Sequence, residues 1–205
     1  MALRPDPQKT DPQQTGLEKI DAVFKSVNRE LWIVTAAAGE RRGGLVATWV
    51  SQASLDPQKP VVAVGIAPNH HTAELIEESG GFALHMLRTD QAELAWNFAI
   101  GSGRDRDKLA GLAFSSGESG SPVLVGTLAW LDCRVLSRFD TGDRIFYWAD
   151  IISGQREVEG EPMRVNDLIA AADGEQLAAL GQDLSTDIEL QRPLAEAWRA
   201  GLSGT

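Results

Sequence analysis

Three short stretches carry the residues with the most chemistry to offer. Ala47-Thr48-Trp49-Val50-Ser51-Gln52-Ala53-Ser54 sets hydroxyls and an amide along what reads as a strand, where a core strand would carry bulky apolar side chains. A backbone this lightly covered lets a flat ligand lie against it, with hydroxyls and amide N–H groups left to bind that ligand. Asn69-His70-His71-Thr72 stands at an expected helix start, where unpaired N–H groups and the positive end of the helix dipole favour a phosphate. Arg104-Asp105-Arg106-Asp107-Lys108 offers positive charge to the same kind of group. Each stretch also has a plain counterpart. The first is a half-exposed strand that happens to be rich in Ser and Thr, which composition alone favours. The second is ordinary N-capping by Asn and Thr, and the third is a solvated segment of alternating charge.

Other chemistries find less support. Adjacent histidines such as His70 and His71 rarely converge on one ion, and no further clear ligands stand near them, so no metal site is expected. His85, inside an apolar strand pattern, reads as a structural histidine. Cys133 is the single cysteine, which excludes an intramolecular disulfide and a multi-cysteine metal site. It closes the apolar run from Leu128 and reads as a buried thiol, not a nucleophile. Gly101-Ser102-Gly103 is too short for a dinucleotide fingerprint. There is no Walker A motif, no Gly-x-Ser-x-Gly elbow and no discernible glycosidase pair of carboxylates. No protein acid, base or nucleophile is assigned a catalytic role.

The formal net charge of −10 argues against a long nucleic-acid or anionic-membrane surface, because a polyanion would be repelled overall. No secretory h-region follows Arg4, and no run approaches the roughly 20 apolar residues of a membrane-spanning helix. A soluble, cytoplasmic protein is expected. Its 205 residues suit one domain with appendages.

The elements that must position the three stretches follow from periodicity. Residues 1–14, rich in Pro, Gln, Asp and Lys, read as a mobile tail. Thr15-Gly16-Leu17-Glu18 matches a capping box, opening a helix with an apolar face of Leu17, Ile20, Val23, Phe24 and Val27 that ends near Asn28. Leu31–Thr35 is a strand, Gly39–Gly44 a turn, and Gly43–Leu55 one continuous strand closed by Asp56-Pro57. Val61–Ile66 reads as a strand buried on both faces. A short helix spans 73–79 and stops at Gly80-Gly81, and Phe82–Leu87 is a further strand. Asp90-Gln91-Ala92-Glu93 is a second capping box, starting a helix that stops by Gly101. Strands follow across 123–125, 127–137 and 144–152, with Gly142-Asp143 as a hairpin turn, and Ser115–Ser121 as a loop before them. From Met163 the chain turns helical in separate segments. Many antiparallel strands joined by short turns point to a closed or nearly closed barrel, which removes sheet edges. The expected class is mainly β (α+β), with residues 15–160 as the barrel domain and 161–205 as a helical C-terminal extension. Parallel α/β is the weaker alternative, because βα alternation is not sustained.

In order and spacing these blocks resemble the flavin reductase-like family, the FMN-binding split barrels. The resemblance is carried by Leu31–Thr35, Ala47–Pro57, His71-Thr72 with Glu74-Leu75-Ile76, Gly81–Leu87 and Gly142-Asp143, over residues 17–155. It implies a six-stranded antiparallel split barrel with short flanking helices, a homodimer, and one FMN (FAD in some members) per subunit near the dimer interface. It further implies that Ala47, Thr48, Trp49, Val50, Ser51, Gln52 and Ser54 lie along the flavin. His71 and Thr72 would approach the phosphate, Lys108 would serve it too, and Phe98 packs near the flavin or within its own helix. NAD(P)H is the implied electron donor. One position departs from the pattern: members using a nicotinamide carry Gly-Asp-His, and here the third residue is Arg144. A guanidinium cannot replace an imidazole as a proton donor near neutral pH. Arg144 would instead meet a dinucleotide phosphate or pair with an acid on the neighbouring strand. Two functions therefore stand side by side: a flavin-dependent oxidoreductase reduced by NAD(P)H, and a flavoredoxin-like electron carrier reduced by a protein partner. A related barrel holding haem or another cofactor is a third.

Overall fold

The computed structural model describes residues 12–203. In chain order the elements are α1 (Pro12–Lys25), β1 (Trp32–Ala38), β2 (Arg41–Ala47), β3 (Val50–Gln52), β4 (Val61–Ile66), α2 (His71–Ser79), β5 (Gly81–Met86), α3 (Ala92–Ala99), β6 (Phe114–Ser116), β7 (Pro122–Leu124), β8 (Ala129–Asp140), β9 (Ile145–Arg156), α4 (Val165–Ala170) and α5 (Gly174–Leu202). Seven strands form one antiparallel sheet in the order β2-β1-β5-β8-β9-β4-β3, and β6 pairs with β7 separately. The two edge strands, β2 and β3, are consecutive in the chain, with only Thr48 and Trp49 between them. A sheet whose first and last strands are joined by two residues must curl until its edges approach. The result is a curled half-barrel, the split-barrel class expected though less fully closed, and it removes most of the open edge.

The strand count exceeds six because the platform stretch is not one strand. It breaks at Thr48-Trp49, so residues 41–47 belong to one edge and 50–52 to the other. The expected Gly39–Gly44 turn shrinks to Gly39-Glu40, with Gly39 at φ 59, and Gly43-Gly44 lies inside β2 opposite Ala36 and Thr35. Gly44 is required there by packing. A Cβ on it would stand 2.8 Å from the Val34 carbonyl and 2.7 Å from the Phe98 ring.

The core has two halves on opposite faces of the β1–β5 wall. Val34, Ala36, Leu84, Val62, Val64, Ile66, Tyr147 and Ala149 fill the barrel interior, closed by Leu75 and Ile76 of α2. Ile33, Leu87, Trp96, Phe98, Leu109, Leu124, Met163 and Leu168 pack outside it, under α3 and α4. Alternate side chains of a strand point to opposite faces, so Leu31–Val34 reads as a continuous apolar run because both its faces are covered. β4 differs from expectation here: Val62, Val64 and Ile66 are buried while Val61, Ala63 and Gly65 are half-buried, so only one face is core.

Helix starts depart from the sequence in a consistent way. α1 begins at Pro12, so Thr15 lies inside it and residues 12–14 belong to the helix; residues 1–11 of the expected tail lie outside the described residues. The apolar face of α1 is present but exposed along Leu17, Ile20, Val23, Phe24 and Val27. Asp90 does not cap α3; it pairs with Arg88 at 2.9 Å, and the N-cap Gln91 spends its side chain on Arg88 and Gly126 backbone. α2 likewise starts at His71 behind His70, without a side-chain cap from Asn69 or Thr72. The reciprocal box that does form opens α5, where Asp173 accepts from Gln176 N–H at 2.7 Å and Gln176 accepts from Asp173 N–H at 3.0 Å. The two C-terminal segments expected around Leu177 and Leu190 are one 29-residue helix that continues through Pro193.

Candidate functional site

The break at Thr48-Trp49 exposes backbone at the sheet's closing edge. The Trp49 carbonyl accepts from Gly65 N–H and Ala53 N–H donates to the Val61 carbonyl, both at 2.8 Å. Backbone groups alternate along an antiparallel strand, so those of Val50 and Gln52 point away from β4 at the outer edge. Ser51 and Gln52 are exposed and Thr48 is half-buried. Ser54 and Gln52 instead fold the following turn: Gln52 Nε2 donates to the Ser54 carbonyl at 2.7 Å, and Ser54 Oγ accepts from Asp56 N–H at 3.2 Å. Ala47 and Val50 face the barrel core. Trp49, 43% exposed, stacks on Phe146 with an interplanar angle of 2°, and the Arg144 guanidinium lies 4.7 Å from its ring centroid.

A corner of paired arginines and carboxylates forms where α2 begins. His71 packs against Gly43 and Gly103; a Cβ on either would stand 3.2 Å from the imidazole. The loop after α3 and the start of β2 therefore meet the helix N-terminus at this ring. Arg104 donates to the Asn69 carbonyl at 2.9 Å and to Glu74 at 2.6 Å, and Glu74 also meets His71 Nδ1 at 3.1 Å. Arg104 first, then His71, holds the Glu74 carboxyl below its ordinary range. An open cleft of about 870 Å³ lies here, bounded by Arg41, Arg42, His71, Glu74, Arg104 and Arg106 among others. Thr72 is inside the helix and only 2% exposed.

Lys108 and Phe98 sit deeper than the resemblance implies. Lys108 is 3% exposed, and its ammonium donates to the Phe98 carbonyl at 2.9 Å. Burial, helped by Arg106, pushes its pKa down to about 8, against an upward pull from Asp183. Phe98 is a core residue whose ring edge touches Gly44. Both underlie the corner instead of lining it. Arg144 does not pair with an acid on the neighbouring strand. It donates to Gln191 of α5 and to the Asp143 carbonyl, and burial lowers its pKa. Sequence reasoning missed Asp183, Asp187 and Gln191, which reach the corner from α5. The available signal was three polar residues four apart in an otherwise leucine-rich helix.

His85 and Cys133 are structural, as expected. His85 is fully buried; Nδ1 donates to the Ile33 carbonyl at 3.2 Å and Nε2 accepts from Leu124 N–H at 3.0 Å. Cys133 is buried, and burial pushes its thiol pKa up, away from nucleophilic use.

The flavin reductase-like domain model matches residues 24–167, from the end of α1 through the barrel into α4. The chain belongs to the flavin reductase-like family. Among curated relatives it is 35% identical over 135 residues to the high molecular weight rubredoxin of Moorella thermoacetica. It is 31% identical over 137 residues to diflavin flavoprotein A 1 of a Synechocystis strain. Those alignments take 65% and 66% of this chain but 58% and 24% of the relatives, so the chain spans only part of their length. The NADH:FAD oxidoreductase of Streptomyces globisporus superposes with a TM-score of 0.65 at 23% identity, covering 78% of this chain and 93% of that one. That likeness shows the shared split-barrel fold. The same Streptomyces protein has been solved in complex with NAD and FAD fragments.

As a member of the flavin reductase-like family, the protein has residues that suit a flavin nucleotide's two demands. An exposed edge backbone with hydroxyls at Thr48 and Ser51 suits a flat, polar-edged ring system, and the α2 N-terminus with His71 and Arg104 suits a phosphate. Lys108 fits less directly, because its ammonium is turned onto the Phe98 carbonyl. No helix among the described residues is long and apolar enough to cross a membrane.

Proposed function

We propose that this protein is an FMN-binding oxidoreductase of the cytoplasm, in which NAD(P)H reduces the flavin and electrons then pass onward. The observation that carries this reading is the exposed break at Thr48-Trp49, set beside the α2 N-terminus with His71 and Arg104 within a flavin reductase-like fold. Residues 47–52 and Ser54 would lie along the ring system, and His71, Arg104 and the backbone N–H of Thr72 would meet the phosphate, with Lys108 contributing charge from below. Phe98 supports that floor through Gly44. A bound flavin supplies hydride and one-electron chemistry of its own. The protein's part is to orient it on the edge strand and to keep water from the covered face, so no side chain need act as acid, base or nucleophile. FAD is the alternative flavin, and the open cleft beside His71 leaves room beyond the phosphate.

A homodimer accompanies this reading. The apolar face of α1, with Leu136, Phe139 and Trp148 of the β8–β9 hairpin, is exposed in one subunit and suits a second copy.

A second reading, a flavoredoxin-like carrier reduced by a protein partner, is favoured by Arg144. It stands where a nicotinamide-using member would have histidine, and it is committed to Trp49 and Gln191. The names of the rubredoxin and diflavin relatives point the same way. One experiment separates the readings. The visible spectrum of the purified protein should show flavin and not haem, and anaerobic NADH or NADPH should bleach it within a turnover time. Flavin that stays oxidised with both nicotinamides, yet is reduced by a redox protein, selects the carrier. A protein that retains no flavin under any loading condition overturns both.

A further inference from the structure

The C-terminal helix docks on the corner through a polar stripe. Asp183, Asp187 and Gln191 recur every four residues, which places them on one face. Asp183 accepts from Gly101 N–H at 2.9 Å. Asp187 accepts from Asn69 Nδ2 at 2.8 Å and meets His70 Nε2 at 3.1 Å. Gln191, 6% exposed, accepts from Arg144 and donates to Asn69 Oδ1 at 3.1 Å. The apolar residues Leu177, Leu184 and Ile188 stay exposed instead. A surface helix ordinarily buries its apolar stripe; α5 does so at Leu180 and Trp198, but between them it docks by polar contacts to the segments that form the corner.

The charges it brings are specific. Asp183 acts on Lys108 and Asp187 on Arg144, while His70, whose pKa burial lowers, meets Asp187 through its Nε2. Two carboxylates therefore already counter the positive groups behind the α2 N-terminus that an anionic ligand would need. We propose that Asp183 and Asp187 are specificity-determining residues, standing in for the ligand's phosphate so that a flavin nucleotide must compete with the docked C-terminal helix. The inference rests on the flavin reading above. A flavin with a phosphate displaces the carboxylates and loosens α5, whereas riboflavin, which has none, does neither. Because coupling is reciprocal, whatever undocks α5 tightens the nucleotide by the same factor.

The test compares FMN and riboflavin at fixed ionic strength on the full chain, wild type against Asp183→Asn/Asp187→Asn. The amides keep an acceptor oxygen for Gly101 and Asn69 and lose the charge, while the Asp187→Asn NH2 faces His70 Nε2, which can accept from it in the other tautomer. FMN should bind the variant about three- to tenfold more tightly, with riboflavin changed less than about twofold. Glu189→Gln/Glu196→Gln, which removes the same charge from exposed positions of α5, should leave both unchanged. Unchanged or weaker FMN binding in the Asp variant overturns the proposal, as does equal tightening of riboflavin or an equal gain in the Glu control. Should the Asp variant fold poorly, amide hydrogen exchange of the wild type decides. FMN, unlike riboflavin, should speed exchange across residues 183–198, and protection there by FMN overturns the proposal. Flavin bound with unaltered preference removes this inference alone. Flavin bound by no form of the protein removes the flavin reading and this inference with it.

Discussion

The barrel wall around His85 and the rim around His70 and His71 hold similar side chains in opposite ways. His85 has a backbone carbonyl on one nitrogen and a backbone N–H on the other, from strands buried in the core. His70 and His71 meet carboxylates of side chains, Asp187 and Glu74, and those acids are shared with Asn69 and Arg104. Backbone partners fixed in a sheet cannot be exchanged for a ligand without unfolding the wall. Side-chain partners on neighbouring elements can be exchanged by rotamer changes or by the lift of one helix. The wall's polar groups are therefore architecture, and the rim's are available for binding.

The largest effect expected from breaking this contrast lies in the wall. Gly44→Val drives a branched side chain into the Val34 carbonyl and the Phe98 ring. Neither can retreat, because one is ladder backbone and the other is a buried ring of α3 packed in the outer core. A loss of about 4 kcal/mol in denaturant unfolding is expected. A loss below about 1 kcal/mol would show that the wall yields as easily as the rim.

Acid should find the wall next. Burial holds the His85 pKa down to about 4 from an ordinary 6.5. Between those values the unfolded chain binds the proton and the folded chain does not, so stability falls as pH drops through that window and is complete above 6.5. The span corresponds to about 3 kcal/mol, read as a falling denaturation midpoint from pH 6.5 to 4. His85→Gln should flatten that slope at the cost of a lower plateau. A slope unaltered by the substitution would assign the acid sensitivity elsewhere.

The rim answers to a different readout. Thr48→Trp fills the break between the edge strands, where Thr48 is half-buried. Flavin retention should drop by about a hundredfold or more, equivalent to about 2.7 kcal/mol of binding, with the unfolding midpoint little changed. A folded variant that keeps its colour moves the site away from Thr48.

The same contrast explains what was legible in the sequence. Wall strands such as Leu31–Thr35 and Gly81–Met86 carry their burial in their own apolar pattern, and the order of blocks identified the barrel. Gly142-Asp143 was legible as a hairpin because its positive φ of 83 at Gly142 has a local residue signature. The rim was legible only as residue types. Thr48 and Trp49 read as the middle of a strand because no local signal says that a sheet curls and splits a stretch between its two edges. Lys108 was read as a surface cation, though its burial depends on Phe98 from an earlier helix. Arg144's partner lies 47 residues downstream on a helix whose docking no short-range pattern declares.

The smallest effect belongs to the rim's ion pairs. Arg42 and Asp107 meet at 2.7 Å, each about two-fifths exposed, and Arg42 also lies 5.0 Å from the Phe114 ring centroid. Exposed pairs of this kind contribute about 0.2–1 kcal/mol, because water screens the charges and long side chains must be ordered to hold them. Asp107 keeps a second role without Arg42, since its other oxygen accepts from Leu109 N–H at 2.9 Å and fixes the turn into the core. Arg42→Ala should therefore cost no more than about 1 kcal/mol, most of it recovered in a double-mutant cycle with Asp107→Asn. Arg42 also borders the open cleft beside His71, so the variant should alter FAD binding more than FMN binding if the cleft takes the nucleotide beyond the first phosphate. A stability loss above about 2 kcal/mol would make this rim pair structural, and the division between fixed wall and exchangeable rim would then fail at its most exposed point.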